Sequence, residues 1–309
     1  MSDYSTYIQT EYRNDLNYSK QFIFSFGSNY SLGVRLFPKG IREATIFFYA
    51  FVRYADELVD NPHQKMPGQT HASIDDFISQ WKEVVKYGPT KKSHPILRSN
   101  YWIFKNREIP FDYSFDFLDV MKQDLYTERY KDYGQLENYM WGSASVVGHI
   151  MTFIVGYSNP TAFDHAKALG EAMQLANILR DISEDFTDRN RVYLPQNDMT
   201  LFAATESMIA GKKMTPQLFN IIKHYVERTE ILFQRGINGI HYLDNGGFSV
   251  LLASRIYREN IRILKKRNYD IFRTKIRISK IKKVLMVCTT IILYPSLVLK
   301  NKFNIMRNE

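Results

Sequence analysis

Residues 174–185, QLANILRDISED, carry the pattern that decides the fold class of this chain. Four polar side chains recur there at i, i+3, i+7 and i+11: Gln174, Asn177, Asp181 and Asp185. Apolar residues take the positions between them: Leu175, Ile178, Leu179 and Ile182. Because an α-helix repeats every ~3.6 residues, this spacing predicts a helix with one polar stripe and a face that can pack.

Helical periodicity of this kind continues through nearly the whole chain, and no sustained run of alternating residues indicates a strand. Long helices are predicted over residues 41–60, 72–87, 112–130, 134–157, 161–187, 215–243, 247–268 and 275–294, and shorter ones over 18–30 and 200–210. Linkers of about 5–12 residues suit one compact domain better than two tethered ones. We therefore predict a single all-α domain over residues 1–309.

Composition and charge exclude several classes of protein. With 45% apolar and 15% aromatic residues in 309, the chain can bury a large core and is not disordered. The net charge is +9, but residues 255–309 hold 15 basic and 3 acidic residues, a net +12, which leaves −3 on residues 1–254. A mildly acidic body with a basic tail argues against a nucleic-acid partner. A single cysteine, Cys288, excludes a disulfide framework and a cysteine zinc site.

The usual motifs for other chemistries do not occur. No two of the seven histidines are spaced at i,i+3 or i,i+4, so a histidine metal site is unsupported. The glycine-rich motifs of nucleotide-binding folds and the serine motif of hydrolases are missing from the sequence. Residues 1–7, MSDYSTY, lack the basic and apolar regions of a signal peptide, so we expect a cytoplasmic protein.

Aspartate remains as the candidate for chemistry. Three D-x-x-x-D patterns occur: Asp56/Asp60, Asp112/Asp116 and Asp181/Asp185. This spacing puts both carboxylates of a pair on one side of a helix, where a divalent cation with oxygen ligands, such as Mg²⁺, would relieve their repulsion. Asp112 and Asp116 follow Pro110, where aspartates favour a helix N-terminus, so we expect no function for them. Two cation-binding pairs in an apolar helical bundle suit the ionisation of a diphosphate and protection of the resulting carbocation.

Several segments resemble the phytoene/squalene synthase family, most closely its bacterial phytoene synthases, in order and spacing over roughly residues 18–285. The segments are LFPKGIREATIFFYAFVRYADELVD (36–60), NYMWGSASVVG (138–148), QLANILRDISEDFTDRNRVYLP (174–195), and SRIYRENIRILKKRNYDIF with RTKIRISKIKK (254–283). The resemblance implies the isoprenoid synthase fold, a helical bundle around a central apolar cavity, with a basic, apolar C-terminal segment at about 275–309.

The resemblance also implies roles for particular residues. The metal ligands, for Mg²⁺ or for Mn²⁺ in its place, would be Asp56, Asp60, Asp181 and Asp185. Phosphate oxygens would be bound by Arg53 and Arg273, beside the amides of Gln174 and Asn177. The tyrosines that face the diphosphates or the cation would be Tyr139, with a catalytic role, Tyr193 and Tyr257. Plainer roles remain open: an ion pair of Arg53 with Glu57, surface positions for Arg180 and Arg191, and core packing for the tyrosines.

Two segments depart from the family pattern. Where the family usually has a Ser-Lys-Ser-Phe-like segment near the phosphates, this chain has residues 27–30, GSNY, which removes the lysine. Where the family has a small Ala-Gly pair, this chain has Ala144-Ser145. We expect Ser145 to narrow or polarise the channel for the prenyl chain, and so to affect the preferred chain length.

The implied reaction is a head-to-head condensation of two geranylgeranyl diphosphates to phytoene, in carotenoid biosynthesis. It passes through a cyclopropylcarbinyl diphosphate and ends with loss of a proton, so NADPH is not expected. The alternative within this class is a squalene or dehydrosqualene synthase that uses farnesyl diphosphate. A non-catalytic assembly or scaffold protein is the alternative of another class, and the four retained aspartates argue against it.

The C-terminal tail needs its own interpretation. Residues 284–299, VLMVCTTIILYPSLVL, carry no charge and lie between Lys280, Lys282 and Lys283 on one side and Lys300 and Lys302 on the other. Three arrangements are open: a helix packed on the core, a helix on a membrane surface with its lysines at anionic lipids, and a single span. The span is disfavoured because it needs about 20 apolar residues and Pro295 interrupts this stretch. The expected location is cytoplasmic, peripheral on the inner face of the cell membrane.

Overall fold

The computed structural model describes residues 2–25, 34–60 and 73–306. Within these ranges the regular structure is entirely helical, with two isolated β-bridges and no strand. The predicted all-α class is therefore confirmed. The predicted contacts of Ser28 and Asn29 lie outside the described residues.

The chain divides into two compact units, residues 1–125 with 153–156, and residues 126–152 with 157–309. The first unit contains α1 (Ser2–Thr10), α2 (Tyr12–Ser25), α3 (Lys39–Asp60), α4 (Ile74–Tyr87), α5 (Pro95–Asn106) and α6 (Asp112–Gln123). In the second lie α7 (Tyr133–Met140), a π-helical turn (Trp141–Ser145), most of α8 (Val146–Val155), α9 (Ala162–Arg189), α10 (Gln196–Leu201), α11 (Glu206–Ala210), α12 (Pro216–Asn238), a 3₁₀ turn (Ile240–Tyr242), α13 (Gly247–Lys266) and α14 (Lys280–Met306). The single domain stays a prediction.

The core of the first unit is aromatic and is built on α3. Phe51 is fully buried, and its ring centroid lies 5.2 Å from those of both Phe77 and Trp81. The indole N–H of Trp81 donates a hydrogen bond to the Ser114 hydroxyl at 2.8 Å, so its one polar group is satisfied. These contacts fix one face of α3 inward, and its polar residues near the C-terminal end remain half-buried.

Helix α5 is the one long helix of the first unit between residues 73 and 125 that the periodicity does not predict. Every residue from 96 to 104 is buried, including Arg98 and Asn100, so no polar face marks the helix in the sequence. Two buried polar groups are satisfied internally: Arg98 Nε donates to Asp15 Oδ2 at 2.9 Å, and Asn100 Nδ2 donates to the Phe47 carbonyl at 3.0 Å. His94 caps the helix by accepting from the Ile96 N–H.

The second unit is organised around α9, which packs against α12, α13 and the π-helical turn. Glycines permit two of these close approaches. A Cβ added at Gly170 would lie 2.6 Å from the Ala144 carbonyl oxygen, and one at Gly236 would lie 2.6 Å from the Leu169 Cβ. Side chains at these positions would push the helices apart, so the packing of the unit depends on their absence.

Other boundaries differ from the predicted ones at turns. The helix predicted over 112–130 ends at Gln123, and the one predicted over 134–157 is interrupted by the π-helical turn. The region 200–210 forms two short helices instead of one. Helix α2 begins at Tyr12, six residues before the predicted start, and residues 26–30 of that prediction lie outside the described residues.

The tail forms one long helix, α14, which starts at Lys280 and continues through Pro295. Met286 of α14 joins a small buried cluster with Leu252 and Ile256 of α13. Residues 280–299 make the helix long and apolar enough to cross a membrane by length and composition, and only 11% of that stretch is buried. The helix is therefore attached to the second unit along one side and is not a core helix.

Candidate functional site

The first aspartate pair lies at the C-terminal end of α3, in the first unit. Arg53 Nη1 donates to Asp56 Oδ2 at 2.7 Å, and Arg53 also pairs with the carboxylate of Glu57. Glu57 is buried at 5% side-chain exposure, whereas Asp56 is 38% exposed. The predicted alternative for Arg53, an ion pair with Glu57, is therefore present in this structure. Asp60 ends the helix one turn after Asp56 and is half-buried.

The second aspartate pair lies near the C-terminal end of α9, in the second unit. Arg180 donates to both carboxylate oxygens of Asp181, from Nε to Oδ1 at 2.8 Å and from Nη2 to Oδ2 at 2.5 Å. Burial lowers the pKa of Arg180, but the hydrogen bonds and negative charge of Asp181 outweigh it, and the pKa is raised. Arg180 is therefore bound to the site and is not a surface cation.

Asp185 has the most perturbed acidic group of the predicted site. Burial, and then the negative charge of Asp181, raise the pKa of Asp185 to about 7, against the opposing charges of Arg189 and Arg191. The Arg189 guanidinium lies 3.4 Å from Asp185 Oδ1. A second negative charge on this turn is costly without a counter-charge, which is the situation that a bound cation relieves.

The helix ends directly after this pair. Asn190 adopts a left-handed conformation, φ 53°, and its N–H and that of Arg191 both donate to the Asp185 carbonyl. Arg129 holds the turn by pairing with Glu206 and by donating to the Asn190 carbonyl. The end of α9, and with it the backbone of Asp185, is thus fixed by contacts from residues 128–129 and from α11.

Three tyrosines form one cluster beside α9. The rings of Tyr139 and Tyr193 have centroids 5.3 Å apart, and Tyr130 stacks on Tyr193 at 5.6 Å. Gln174 Nε2 donates to the Tyr139 hydroxyl at 3.5 Å, which joins the cluster to the polar stripe of α9. Tyr139 and Tyr193 are both buried, so their rings present an apolar surface next to that stripe. Tyr130 is a member that the sequence patterns did not indicate.

The remaining predicted residues fall in different places. Asn177 is half-buried on the same stripe of α9, between Gln174 and Asp181. Tyr257 of α13 lies close enough to Arg180 for its charge to act on that guanidinium. Arg273 is exposed and donates to Asp270 at 3.2 Å. Its side chain lines a cavity of about 270 Å³ on another side of α9, so the structure does not bring Arg273 to the carboxylates.

A buried polar network extends the α9 stripe in the N-terminal direction. The Ser145 hydroxyl, fully buried, donates to Glu171 Oε1 at 3.5 Å. Lys167 Nζ pairs with Glu171 at 2.8 Å and with Glu137 at 3.0 Å. Sequence reasoning singled out Ser145 but missed Glu171, although Glu171 precedes Gln174 by three residues and so continues the polar stripe.

The donors of each pair fit a hard divalent cation. Within residues 2–25, 34–60 and 73–306, no group of three or more His, Cys, Asp or Glu is arranged to hold a metal ion alone. Two carboxylates per pair instead leave most positions of an octahedral ion open for phosphate oxygens and water, as is usual for Mg²⁺. The site residues thus suit a cation that arrives together with a phosphorylated ligand.

Comparison with known proteins gives one consistent result. A sequence model of the family described as squalene/phytoene synthase matches residues 25–282. A chloroplastic phytoene synthase from an Oncidium hybrid is 28% identical over 274 residues, which cover 86% of this chain and 65% of that protein. The phytoene synthase of Arthrospira platensis is 26% identical over 282 residues, covering 86% of this chain and 89% of the relative. The chain thus spans about two thirds of the length of the Oncidium relative.

Solved structures share the fold. A crystal structure of a dehydrosqualene synthase in complex with ligand superposes with a TM-score of 0.83 at 26% identity, covering 93% of this chain and 98% of that one. A squalene synthase from Alicyclobacillus acidocaldarius superposes with a TM-score of 0.75 at 21% identity, covering 84% and 96%. The second likeness is one of fold alone.

Proposed function

Because this chain belongs to the squalene/phytoene synthase family, whose members are prenyltransferases, we propose that it condenses two prenyl diphosphates head to head. The proposed substrate is geranylgeranyl diphosphate and the proposed product is phytoene. One observation carries the proposal: each unit holds a D-x-x-x-D pair whose first carboxylate is bound to a neighbouring arginine. This is the chemistry needed to bind a cation and a diphosphate together.

The aspartates are the proposed cation ligands. Asp56 and Asp60 in one unit, and Asp181 and Asp185 in the other, would hold Mg²⁺, or Mn²⁺ in its place. When bound, the ion neutralises negative charge on the diphosphate and so makes it a better leaving group. No carbon–carbon bond forms at these residues, and their task is to bind and orient the diphosphate.

Arginines and amides are proposed to position the phosphate oxygens. Arg53 and Arg180 now bind Asp56 and Asp181, and a cation on those carboxylates would release the guanidinium groups for phosphate. Gln174 lies on the same stripe and has only a long hydrogen bond, 3.5 Å, to the Tyr139 hydroxyl. Asn177 and Tyr257 complete the proposed set in the second unit, and Arg273 must leave Asp270 to join it.

The reaction is proposed to run in two ionisations. In the first, the C–O bond of one substrate breaks, the electron pair leaves with diphosphate, and the double bond of the other attacks the allylic cation. Loss of a proton closes a cyclopropylcarbinyl diphosphate, which ionises in turn and rearranges to the 1-1′ linked cation. A final proton loss gives phytoene, so no NADPH enters the balance. The buried faces of Tyr139, Tyr193 and Tyr130 would exclude water and stabilise positive charge.

A farnesyl-using dehydrosqualene or squalene synthase is the second candidate. It is favoured by the dehydrosqualene synthase structure at TM-score 0.83, together with the buried Ser145–Glu171 contact where a small residue would leave more room. A scaffold protein without catalysis is disfavoured, because both aspartate pairs are intact and Asp181 is bound to Arg180.

The test is product analysis. Purified protein with Mg²⁺ receives farnesyl or geranylgeranyl diphosphate, each with and without NADPH, and the hydrocarbons are identified by mass spectrometry. A C40 product that is indifferent to NADPH supports the proposal. A C30 product moves the chain to the second candidate, where dependence on NADPH separates squalene from dehydrosqualene. Absence of both product and diphosphate release refutes a synthase, and Asp181→Ala protein provides the background.

A further inference from the structure

Helix α14 carries a continuous apolar stripe on its exposed side. The members are spaced at three, four and seven residues, so they share one face: Ile281, Val284, Leu285, Cys288, Ile291, Ile292, Pro295 and Leu299. All eight are exposed, and Ile281 and Ile292 reach 75%. Soluble helices normally turn such a face toward the core, so this helix has the opposite orientation.

The other side of α14 is held by α13, which fixes the direction of the stripe. Arg255 donates to the hydroxyls of Thr290 at 2.5 Å and Thr289 at 2.9 Å, and Thr290 is fully buried. Met286 packs into the cluster on α13, and Tyr294 packs edge-to-face on Phe248 at 5.9 Å. These contacts run from residue 286 to 294, so rotating the helix to bury the stripe would break all of them.

The dimensions and charges of the stripe match a bilayer surface. Its eighteen-residue separation from Ile281 to Leu299 gives a length of about 27 Å at 1.5 Å per residue. Lys280, Lys282 and Lys283 stand at its start, and Lys300 and Lys302 follow its end in the sequence. An apolar face between cations is the pattern of a helix that lies in the interface of an anionic membrane.

Two other occupants fit less well. A membrane-spanning helix is surrounded by lipid, but α14 is bound along one side to α13 through Arg255, Met286 and Tyr294. A second copy of the chain would bring two stripes together with basic residues at both ends of each, so like charges would face each other in either orientation. An anionic bilayer neutralises those same charges.

We propose that the exposed face of α14 docks the protein on the surface of an anionic lipid bilayer. The stripe enters the acyl boundary, the lysines meet the lipid headgroups, and α13 holds the second unit on the other side of the helix. The family match ends at residue 282, so almost the whole stripe lies beyond it. The proposal does not depend on the proposed reaction, and binding and catalysis are measured separately.

The single cysteine gives a direct test in the native chain. Cys288 is exposed in the middle of the stripe, so an environment-sensitive fluorophore attached there reports whether this face enters lipid. Vesicles of phosphatidylglycerol and phosphatidylcholine in equal parts should shift its emission to the blue, and 0.5 M salt should weaken the effect. Flotation of unlabelled protein with the same vesicles checks that the label is not responsible.

Matched variants separate the stripe from general hydrophobicity. Leu285→Asp and Ile292→Asp should each weaken vesicle binding by about tenfold or more, because each removes an aliphatic side chain from the inserted face. Lys280→Ala should weaken it by about fivefold. Ile231→Asp is the control, since Ile231 is also strongly exposed, at 69%, but lies on α12. It should bind as the wild type does, and all four variants should retain the helical circular dichroism of the wild type.

Several results would overturn the proposal. Wild-type protein that stays with the aqueous fraction, or that binds pure phosphatidylcholine equally well, would exclude an anionic bilayer as the partner. A dimer that dissociates on Ile292→Asp, seen by light scattering without vesicle binding, would identify a second copy as the occupant. Protein that resists alkaline carbonate extraction from cell membranes would identify a span.

Discussion

Arg180 and Asp181, consecutive residues of α9, form a two-point ion pair through Nε to Oδ1 and Nη2 to Oδ2. In the first unit Asp56 is bound in a comparable way by Arg53, three residues before it. The first carboxylate of each pair is therefore neutralised by a guanidinium in the free protein. A cation that takes over the carboxylate would leave that guanidinium free to bind an anion, so one exchange prepares both halves of a metal–diphosphate site.

We expect Asp56→Ala and Asp181→Ala each to abolish turnover. Each change removes a proposed cation ligand and leaves an arginine without its carboxylate. Loss should exceed about a thousandfold, because the ionisation step depends on charge neutralisation at the leaving group. Diphosphate release and hydrocarbon formation are the measurements. Normal turnover in either variant would show that these pairs are not the site.

The control for these variants is Asp112→Ala. Asp112 is the first residue of α6 and is exposed, in agreement with the interpretation of that pair as a helix N-terminal feature. Its loss should cost less than about 1 kcal/mol of stability and should leave turnover unchanged. An inactive Asp112→Ala enzyme would mean that the wrong aspartate pair has been chosen.

Ser145→Gly is expected to change the preferred length of the prenyl chain. The Ser145 side chain is fully buried and its hydroxyl contacts Glu171, so the change removes both volume and polarity beside the α9 stripe. The ratio of C40 to C30 product from equal concentrations of the two substrates should rise, and mass spectrometry measures it. An unchanged ratio would mean that Ser145 does not line the channel.

Gly170→Ala is expected to destabilise the protein severely. The new Cβ would lie 2.6 Å from the Ala144 carbonyl oxygen and 2.9 Å from its carbonyl carbon, and backbone atoms cannot move aside without separating α9 from the π-helical turn. The loss should be about 3 kcal/mol, measured by urea unfolding. Gly40→Ala on α3 is the matched control, because nothing lies within 4 Å of its Cβ position. That variant should gain up to about 1 kcal/mol, and an equal loss in both would refute the steric argument.

The Arg129–Glu206 pair predicts a pH dependence of stability. Hydrogen bonds from Arg129 lower the pKa of Glu206 below its usual 4.5 despite partial burial. A lowered folded-state pKa means that the pair stabilises the protein above pH 4.5 and loses that effect as the pH falls through the lowered value. Glu206→Gln should therefore be about 0.5 kcal/mol less stable than wild type at neutral pH.

Urea unfolding at a series of pH values measures this difference. The gap between Glu206→Gln and wild type should close in acid, where the wild-type carboxyl is itself protonated. A gap that stays constant from neutral pH to acid would show that charge at Glu206 does not contribute.

The sequence allowed the helices with two distinct faces to be predicted. Helix α9 was expected over 161–187 and runs from Ala162 to Arg189, and α3 differs by two residues at its start. Helix α5 was missed because it is buried on every side, so its apolar residues show no helical period. Local turns also escaped prediction, since the end of α6 and the π-helical turn depend on neighbouring helices more than on their own residues.

The candidate site was predictable only along single helices. The stripe from Gln174 to Asp185 follows from helical geometry, and the structure keeps these residues on one side of α9. The Tyr130 contact and the Ser145–Glu171–Lys167 network join residues distant in the chain, which spacing cannot show. Arg273 was placed by resemblance alone, and in this structure it pairs with Asp270 instead.

The π-helical turn between α7 and α8 makes chain length itself a determinant of the site. Its hydrogen bond runs from the Val146 N–H to the Trp141 carbonyl, five residues back, so the turn holds one residue more than an α-helical turn. That extra residue offsets the helical phase by about 100° between Tyr139 before the turn and Gly148 after it. Deleting one residue from 141–145 would turn Tyr139 away from Tyr193 while every side chain of the tyrosine cluster kept its identity. The direction of a site tyrosine is thus set by a count of residues, which no substitution can alter.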